Sequence, residues 1–224
     1  MFFKTDTLLF FDLFLLTIIK QSMKKILSVA AILAVFSTTS AFAKTEGSYL
    51  ELDLLRSAAK NNYKFSNGTK SDKFKDNSTN FGVSYKYAFN FNNLFVAPGV
   101  FFDNLSNSAK DSDGDKVNLN HRYGVKFDIG YDVTDKAAVY FTNGFASTAY
   151  KVDWGNSDLG VKSGSKVGYF FGGGVLYHVA SNVTVNFEYN VQSLNKLHTP
   201  YDNITGAKAE TKVSVAKVGV AYHF

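Results

Sequence analysis

Asp111, Asp113 and Asp115 alternate with Ser112 and Gly114, three carboxylates spaced as hard-cation ligands would be. The run departs from a calcium loop further on. Its glycine falls at the fourth place, and Arg122 stands at the twelfth, where a bidentate Glu is wanted, so a solvated acidic loop is the simpler reading. The four histidines, His121, His178, His198 and His223, raise acid–base chemistry. His121 and His198 have no serine two residues away, and no His/Ser/acid set is grouped as nucleophilic catalysis requires, so the chain is expected not to be an enzyme. With Cys 0 there is no thiolate metal site, thiol nucleophile or disulfide, and no cofactor is implied. Lys+Arg 24 against Asp+Glu 19 gives a formal charge of +5, but Arg56 and Arg122 are the two arginines, which argues against a nucleic-acid reader built on bidentate Arg.

The stretch that could bind a partner lies between Ser57 and Thr79. Lys60, Lys64, Lys70, Lys73 and Lys75 outnumber Asp72 and Asp76 there and are interleaved with Tyr63, Phe65 and Phe74. Basic side chains with aromatic anchors suit a protein or glycan surface, while the plainer reading is a solvated charge run. Trp154, beside Asp153 and Gly155, is either a contact residue at a loop tip or an anchor at a membrane surface.

These residues sit between segments with period two. Leu50, Leu52 and Leu54 alternate with Glu51 and Asp53, and Phe81 to Phe89 alternate with Gly82, Ser84, Lys86 and Ala88. The third segment, roughly Leu94 to Asp103, is irregular, and Pro98 removes a ladder donor. Tyr123, Val125, Phe127, Ile129 and Tyr131 oppose Gly124, Lys126, Asp128 and Gly130. Four further segments follow around Val139–Phe145, Tyr169–Val179, Val183–Val191 and Ala216–Phe224, the last two carrying Glu188 and Lys217 on their polar faces. The connections alternate between short turns (90–93, 132–136, 180–182) and long polar stretches (57–78, 104–120, 147–166, 193–211).

Ahead of all this, Met23-Lys24-Lys25, the apolar run Ile26–Phe36 and Ala41-Phe42-Ala43 form a signal peptide, with cleavage expected after Ala43. Residues 1–22, apolar but interrupted by Asp12, read as an upstream extension of a true start at Met23, the alternative being a genuine membrane helix. An exported chain with no long apolar run stays in a membrane as a closed barrel. The pattern therefore predicts, over residues 44–224, an eight-stranded antiparallel up-and-down transmembrane β-barrel with four long extracellular loops and three short periplasmic turns. A soluble lipocalin-like barrel shares the period but would not set charges and glycines opposite an aromatic-rich face.

In that arrangement Glu51, Asp53, Asp128 and Glu188 face the lumen with Lys86, Arg122, Lys126 and Lys217, equal numbers of each sign, as paired interior charges require. A proton or ion path through them is the functional alternative. Eight strands enclose an interior that side chains fill, so a porin is disfavoured and function falls to the loops.

The chain also resembles a known superfamily. Phe224, preceded at every second position by Tyr222, Val220, Val218 and Ala216, resembles the terminal signature of outer-membrane barrels taken to be read by the barrel-assembly machinery. Gly172-Gly173-Gly174-Val175-Leu176-Tyr177-His178 and Asn186-Phe187-Glu188-Tyr189-Asn190 look like strands six and seven of the outer-membrane protein A, protein X and opacity type. Within it the chain is most similar to the rickettsial adhesins, on its eight-strand size, leader and Lys-over-Arg, Asn-rich composition. The resemblance implies a monomeric barrel in outer-membrane lipid that binds host-cell surface or serum proteins through its loops. An envelope-integrity barrel without a ligand, a lipid-modifying enzyme and a small pore are the other readings.

Overall fold

The computed structural model describes residues 45–64, 74–110, 116–153, 161–197 and 208–224. The extension 1–22 and the leader 23–43 expected from the sequence lie outside them. Eight antiparallel strands close into a barrel in chain order: β1 Gly47–Lys64, β2 Phe74–Phe91, β3 Leu94–Lys110, β4 Lys116–Thr134, β5 Ala137–Asp153, β6 Val161–Ala180, β7 Val183–Leu197 and β8 Lys208–His223. β1 pairs with both β2 and β8, so the sheet has no open edge. At one end, the turn end, two-residue connections join β2 to β3, β4 to β5 and β6 to β7. Asn92 there takes the left-handed conformation (φ 65°) that such tight hairpins need and that Asn tolerates. Pro98 interrupts the β2–β3 ladder between the Lys86–Gly99 and Phe89–Val96 pairs, yet β3 keeps its register with β4 through Pro98 and Phe127.

The outer surface between the strand ends is apolar. On β4 the outward residues Tyr123, Val125, Phe127, Ile129, Tyr131 and Val133 are all exposed. At ~3.3 Å per residue and a tilt of ~40°, that run stands about 25 Å tall, the height of a bilayer's apolar band. Rings gather at both rims: Phe89, Phe91, Tyr131 and Tyr177 toward the turn end, and Phe81, Phe102, Tyr123, Phe145 and Tyr169 toward the other, the loop end. Phe127, Phe187, Tyr189 and Val220 lie on this outer face, with Lys86, Lys126, Asp128, Glu188 and Lys217 on the inner one.

Beyond the loop-end rim the pattern inverts. On β1, Leu50, Leu52 and Leu54 point outward within the belt, whereas Leu55 and Ala59 above it are buried inside. Lys217 is the inward residue of β8 within the belt, and Val215 and Val213 take that place above it. The cause is the change of outer solvent: lipid demands apolar residues outside, while water lets polar residues turn outward and apolar ones close over the core. β4 accommodates the switch with a bulge, since Asn120 and His121 lie between the register pairs Leu119–Tyr150 and Arg122–Thr148.

This inversion corrects the expected loop lengths. Most of 57–78, 104–120, 147–166 and 193–211 continues as strand, which leaves 65–73, 111–115, 154–160 and 198–207 as the connections. Lys60, Tyr63 and Lys64 therefore belong to β1, and Phe74 and Lys75 to β2, rather than to a loop.

Candidate functional site

The lumen is built in layers. At the turn end Gly47 adopts a left-handed backbone (φ 93°) that a side chain would oppose, and the chain before it folds into the barrel mouth. Thr45 is fully buried there. Its hydroxyl donates to Asp132 Oδ1 at 2.6 Å and lies 3.2 Å from His178 Nε2. Asn90 donates to Asp132 Oδ2 (2.9 Å), and His178 Nδ1 meets Thr184 Oγ1 at 2.9 Å. Above this polar floor, Tyr49, Ala88, Phe95, Ala97, Ala138, Tyr140, Leu176 and Ala221 form an apolar layer, with His223 stacked on Tyr49 at 4.7 Å.

The next layer gathers the lumen charges. Lys86 Nζ lies 3.0 Å from Asp128 and 4.0 Å from Glu51, and Lys126 lies 3.5 Å from Asp128 and 2.9 Å from Glu188. Lys217 bridges Asp103 (2.7 Å) and Asp53 (3.4 Å), while Arg122 holds Asp103 at 2.8 Å. Amides join the two halves: Arg122 donates to Asn190 Oδ1 (2.9 Å), and Asn190 donates to Glu188 Oε1 (2.7 Å). Asn186 donates to Glu51. All of these charges are buried. Such groups are tolerated out of water when each has partners of opposite sign and good hydrogen bonds.

Aromatic faces floor the cations. Lys86 lies 5.1 Å from the centre of the Tyr140 ring and Lys217 5.2 Å from that of Phe101, while Arg122 lies 5.4 Å from Phe101 and 5.8 Å from Phe170. Tyr140 also donates to Glu188 Oε2 at 3.1 Å. It reaches there across Gly174, where a Cβ would stand 2.5 Å from the phenol oxygen. Toward the loop end, Leu55, Leu105, Val117, Leu119, Tyr150, Val152, Leu194, Val213 and Val215 make a second apolar layer. The charges are thus enclosed between two apolar layers.

The structure brings together Glu51, Asp53, Lys86, Arg122, Lys126, Asp128, Glu188 and Lys217, the eight lumen charges expected from the sequence. It adds a fifth acid, Asp103, so the balance is not equal. Continuing period two from Phe95 and Ala97 would have placed Asp103 inward. Phe101 and Tyr140, which floor the cations, carry no chemical signature of that role in the sequence.

Of the histidines, His178 joins the turn-end network, while His121 lies on the outer face, its ring 5.7 Å from that of Phe102 and 6.4 Å from that of Tyr123. Tyr222 and Phe224 pack ring to ring at 5.0 Å at the turn end. Lys60 is exposed on the barrel wall. Phe65, Lys70, Lys73, Trp154, His198 and the Asp111–Asp115 run lie outside the described residues. Among the described residues no group of three or more His, Cys, Asp or Glu is placed to hold a metal ion.

A closed eight-stranded barrel with an apolar belt, rings at both rims and a charged interior is a protein of the bacterial outer membrane. The chain belongs to the outer membrane protein beta-barrel domain family, which it matches over residues 28–224. None of the curated proteins compared with it matches. Among solved structures, it is similar to Ail, the attachment invasion locus protein of Yersinia pestis, at 16% identity over 80% of this chain and 100% of that one, with a TM-score of 0.46. Neisserial surface protein A matches at 19% identity, 80% and 97% coverage and a TM-score of 0.48. OprG of Pseudomonas aeruginosa matches at 13% identity, 83% and 99% coverage and a TM-score of 0.49.

Proposed function

We propose that this barrel is a monomeric, non-enzymatic surface adhesin that binds host-cell surface or serum proteins through the segments joining its strands at the loop end. The observation that carries this reading is the interior: its charges are engaged with one another and enclosed by apolar layers. The loop end is then where the chain meets a partner, on a rigid scaffold. Tyr63 and Lys64 at the end of β1, and Phe74 and Lys75 at the start of β2, flank the connection that contributes Phe65, Lys70 and Lys73, and Trp154 belongs to another connection at the same end. The compositional resemblance to the rickettsial adhesins supports the same reading.

The test exchanges residues 65–73 for a Gly/Ser linker, which spares the strand ladders. Cells displaying this barrel at wild-type surface density are expected to adhere several-fold less to endothelial or epithelial cells. Neutralising Lys70 and Lys73 should lower adherence and flatten its salt dependence, because exposed charges are screened over about 8 Å at physiological ionic strength. Unchanged adherence after this exchange and after exchanges of 111–115, 154–160 and 198–207 would overturn the reading and favour an envelope-integrity barrel.

A further inference from the structure

The charge layer of the lumen holds more negative charge than its own cations balance. Its five carboxylates outnumber its four cations, and the two apolar layers enclose the surplus. The shortest ion pairs of Lys86, Lys126, Arg122 and Lys217 run to Asp128 (3.0 Å), Glu188 (2.9 Å) and Asp103 (2.8 and 2.7 Å). The surplus is left at Glu51 and Asp53, whose carboxylates lie side by side on the inner face of β1. Like charges that share a buried site repel unless a counter-ion joins them.

Three oxygens mark the place. Asp53 Oδ1, Glu51 Oε2 and Asn186 Oδ1 accept no hydrogen bond among the described residues, on side chains of residues only 4%, 1% and 1% exposed. Lys217 approaches the other oxygen of Asp53, Oδ2, at 3.4 Å, and Lys86 stands 4.0 Å from Glu51 Oε2, beyond hydrogen-bond reach. Asn186 donates through Nδ2 to Glu51 Oε1, which fixes the amide so that its oxygen is turned away from that bond. Asp53, Gly219 and Asn186 are successive register partners across β1, β8 and β7. A Cβ on Gly219 would collide with Asp53 Oδ1 and Asn186 Oδ1 alike, so both oxygens lean over the same glycine from opposite sides.

We propose that this corner of the lumen, over Gly219, holds one monovalent metal ion of the sodium class, bound by Asp53 Oδ1, Asn186 Oδ1 and Glu51 Oε2. The donors are all oxygens, as hard cations require. Charge selects the valence. One positive charge brings the layer to neutrality, whereas a divalent ion would overshoot it. A water molecule would satisfy the oxygens but leave the charge, and a proton would join two of the three oxygens and leave the third bare. Because the apolar layers close off the charges on both sides, the ion is captured as the barrel closes and stays as its internal counter-ion. The site is independent of whatever the strand connections bind.

The experiment refolds the full-length barrel in phosphatidylcholine vesicles at one pH, in sodium chloride or in N-methylglucamine chloride of equal ionic strength. An ion that binds only the folded state stabilises it. The wild type is therefore expected to unfold several degrees higher in sodium and, after exchange into sodium-free buffer, to retain one sodium ion per barrel by atomic emission. Asp53→Asn keeps the side chain's shape and removes the surplus charge. It should fold with an unchanged circular dichroism spectrum, unfold at one temperature in both salts and retain no sodium. Asp135→Asn, exposed in the turn between β4 and β5, should behave as wild type. The proposal is overturned if the wild type retains no sodium, if Asp53→Asn keeps the sodium dependence, or if the difference between the two proteins follows pH rather than sodium, which would put a proton in the ion's place. Should Asp53→Asn not fold, the sodium content of the wild type alone decides.

Discussion

Asp103 is the residue on which the lumen turns. It holds Arg122 at 2.8 Å and Lys217 at 2.7 Å, all three buried, so its removal strands Arg122 without a carboxylate and leaves Lys217 with Asp53 alone. Asp103→Ala is expected to cost about 3–5 kcal/mol in urea unfolding of the refolded barrel, the usual consequence of breaking a buried pair from one side. Adding Arg122→Met should recover part of that loss, because it removes one stranded charge. Additive losses in the double-mutant cycle would mean that the two side chains do not act together. Asp103 also marks how far single residues were legible. Glu51, Lys126 and Glu188 lie in runs of unbroken alternation, and parity alone assigns them to the lumen. Asp103 sits at the end of the one run that Pro98 disturbs, where parity is hard to follow. Parity also says nothing of which charge meets which. Glu188 and Lys217 are register neighbours, yet the ion pairs of Lys217 run to Asp53 and Asp103.

At the scale of the strand, number, order and turn positions followed from the sequence, but strand length did not. Each strand looked finished where its outward residues ceased to be apolar, at Leu54 on β1 and at Ala216 on β8. The signal that it continues was present in Val213, Val215, Val117, Leu119 and Val152, at every second position but with the opposite face apolar. On β4 the bulge at Asn120 and His121 hid it further, since strict alternation counted back from Tyr123 would turn Leu119 and Val117 outward. β3 carries an irregularity at the same level, between Asn104 and Asn107, and Ser106 there has a φ of 43°. The left-handed region costs an L residue about 1–2 kcal/mol. Ser106→Gly should therefore stabilise the barrel by about 1 kcal/mol, and Ser106→Val should destabilise it by at least as much. Equal unfolding midpoints for the two variants would show that the bend is not held in that conformation.

For the whole molecule, the layering of the interior makes a prediction about permeability. Two apolar layers, one on either side of the charges, leave ions no continuous wet path. Refolded barrel in planar bilayers is expected to give no discrete conductance steps, and steady unitary currents would contradict the packing described above. The same arrangement bears on the order in which the barrel is made. Lys217 arrives with the last strand and answers carboxylates on the first and the third, and Asn186 of β7 answers Glu51 of β1. Until the seam between β1 and β8 is sealed, Asp53 has no cation, and Asp103 and Glu51 each lack one of their partners, so water must answer them, and carrying them into hydrocarbon in that state is costly. A half-built sheet is therefore a wet one. Closure of the seam, expulsion of water from the lumen and full entry into the bilayer are coupled into a single step, and the charges inside act as a proof-reader that holds back any chain whose last strand has not yet docked.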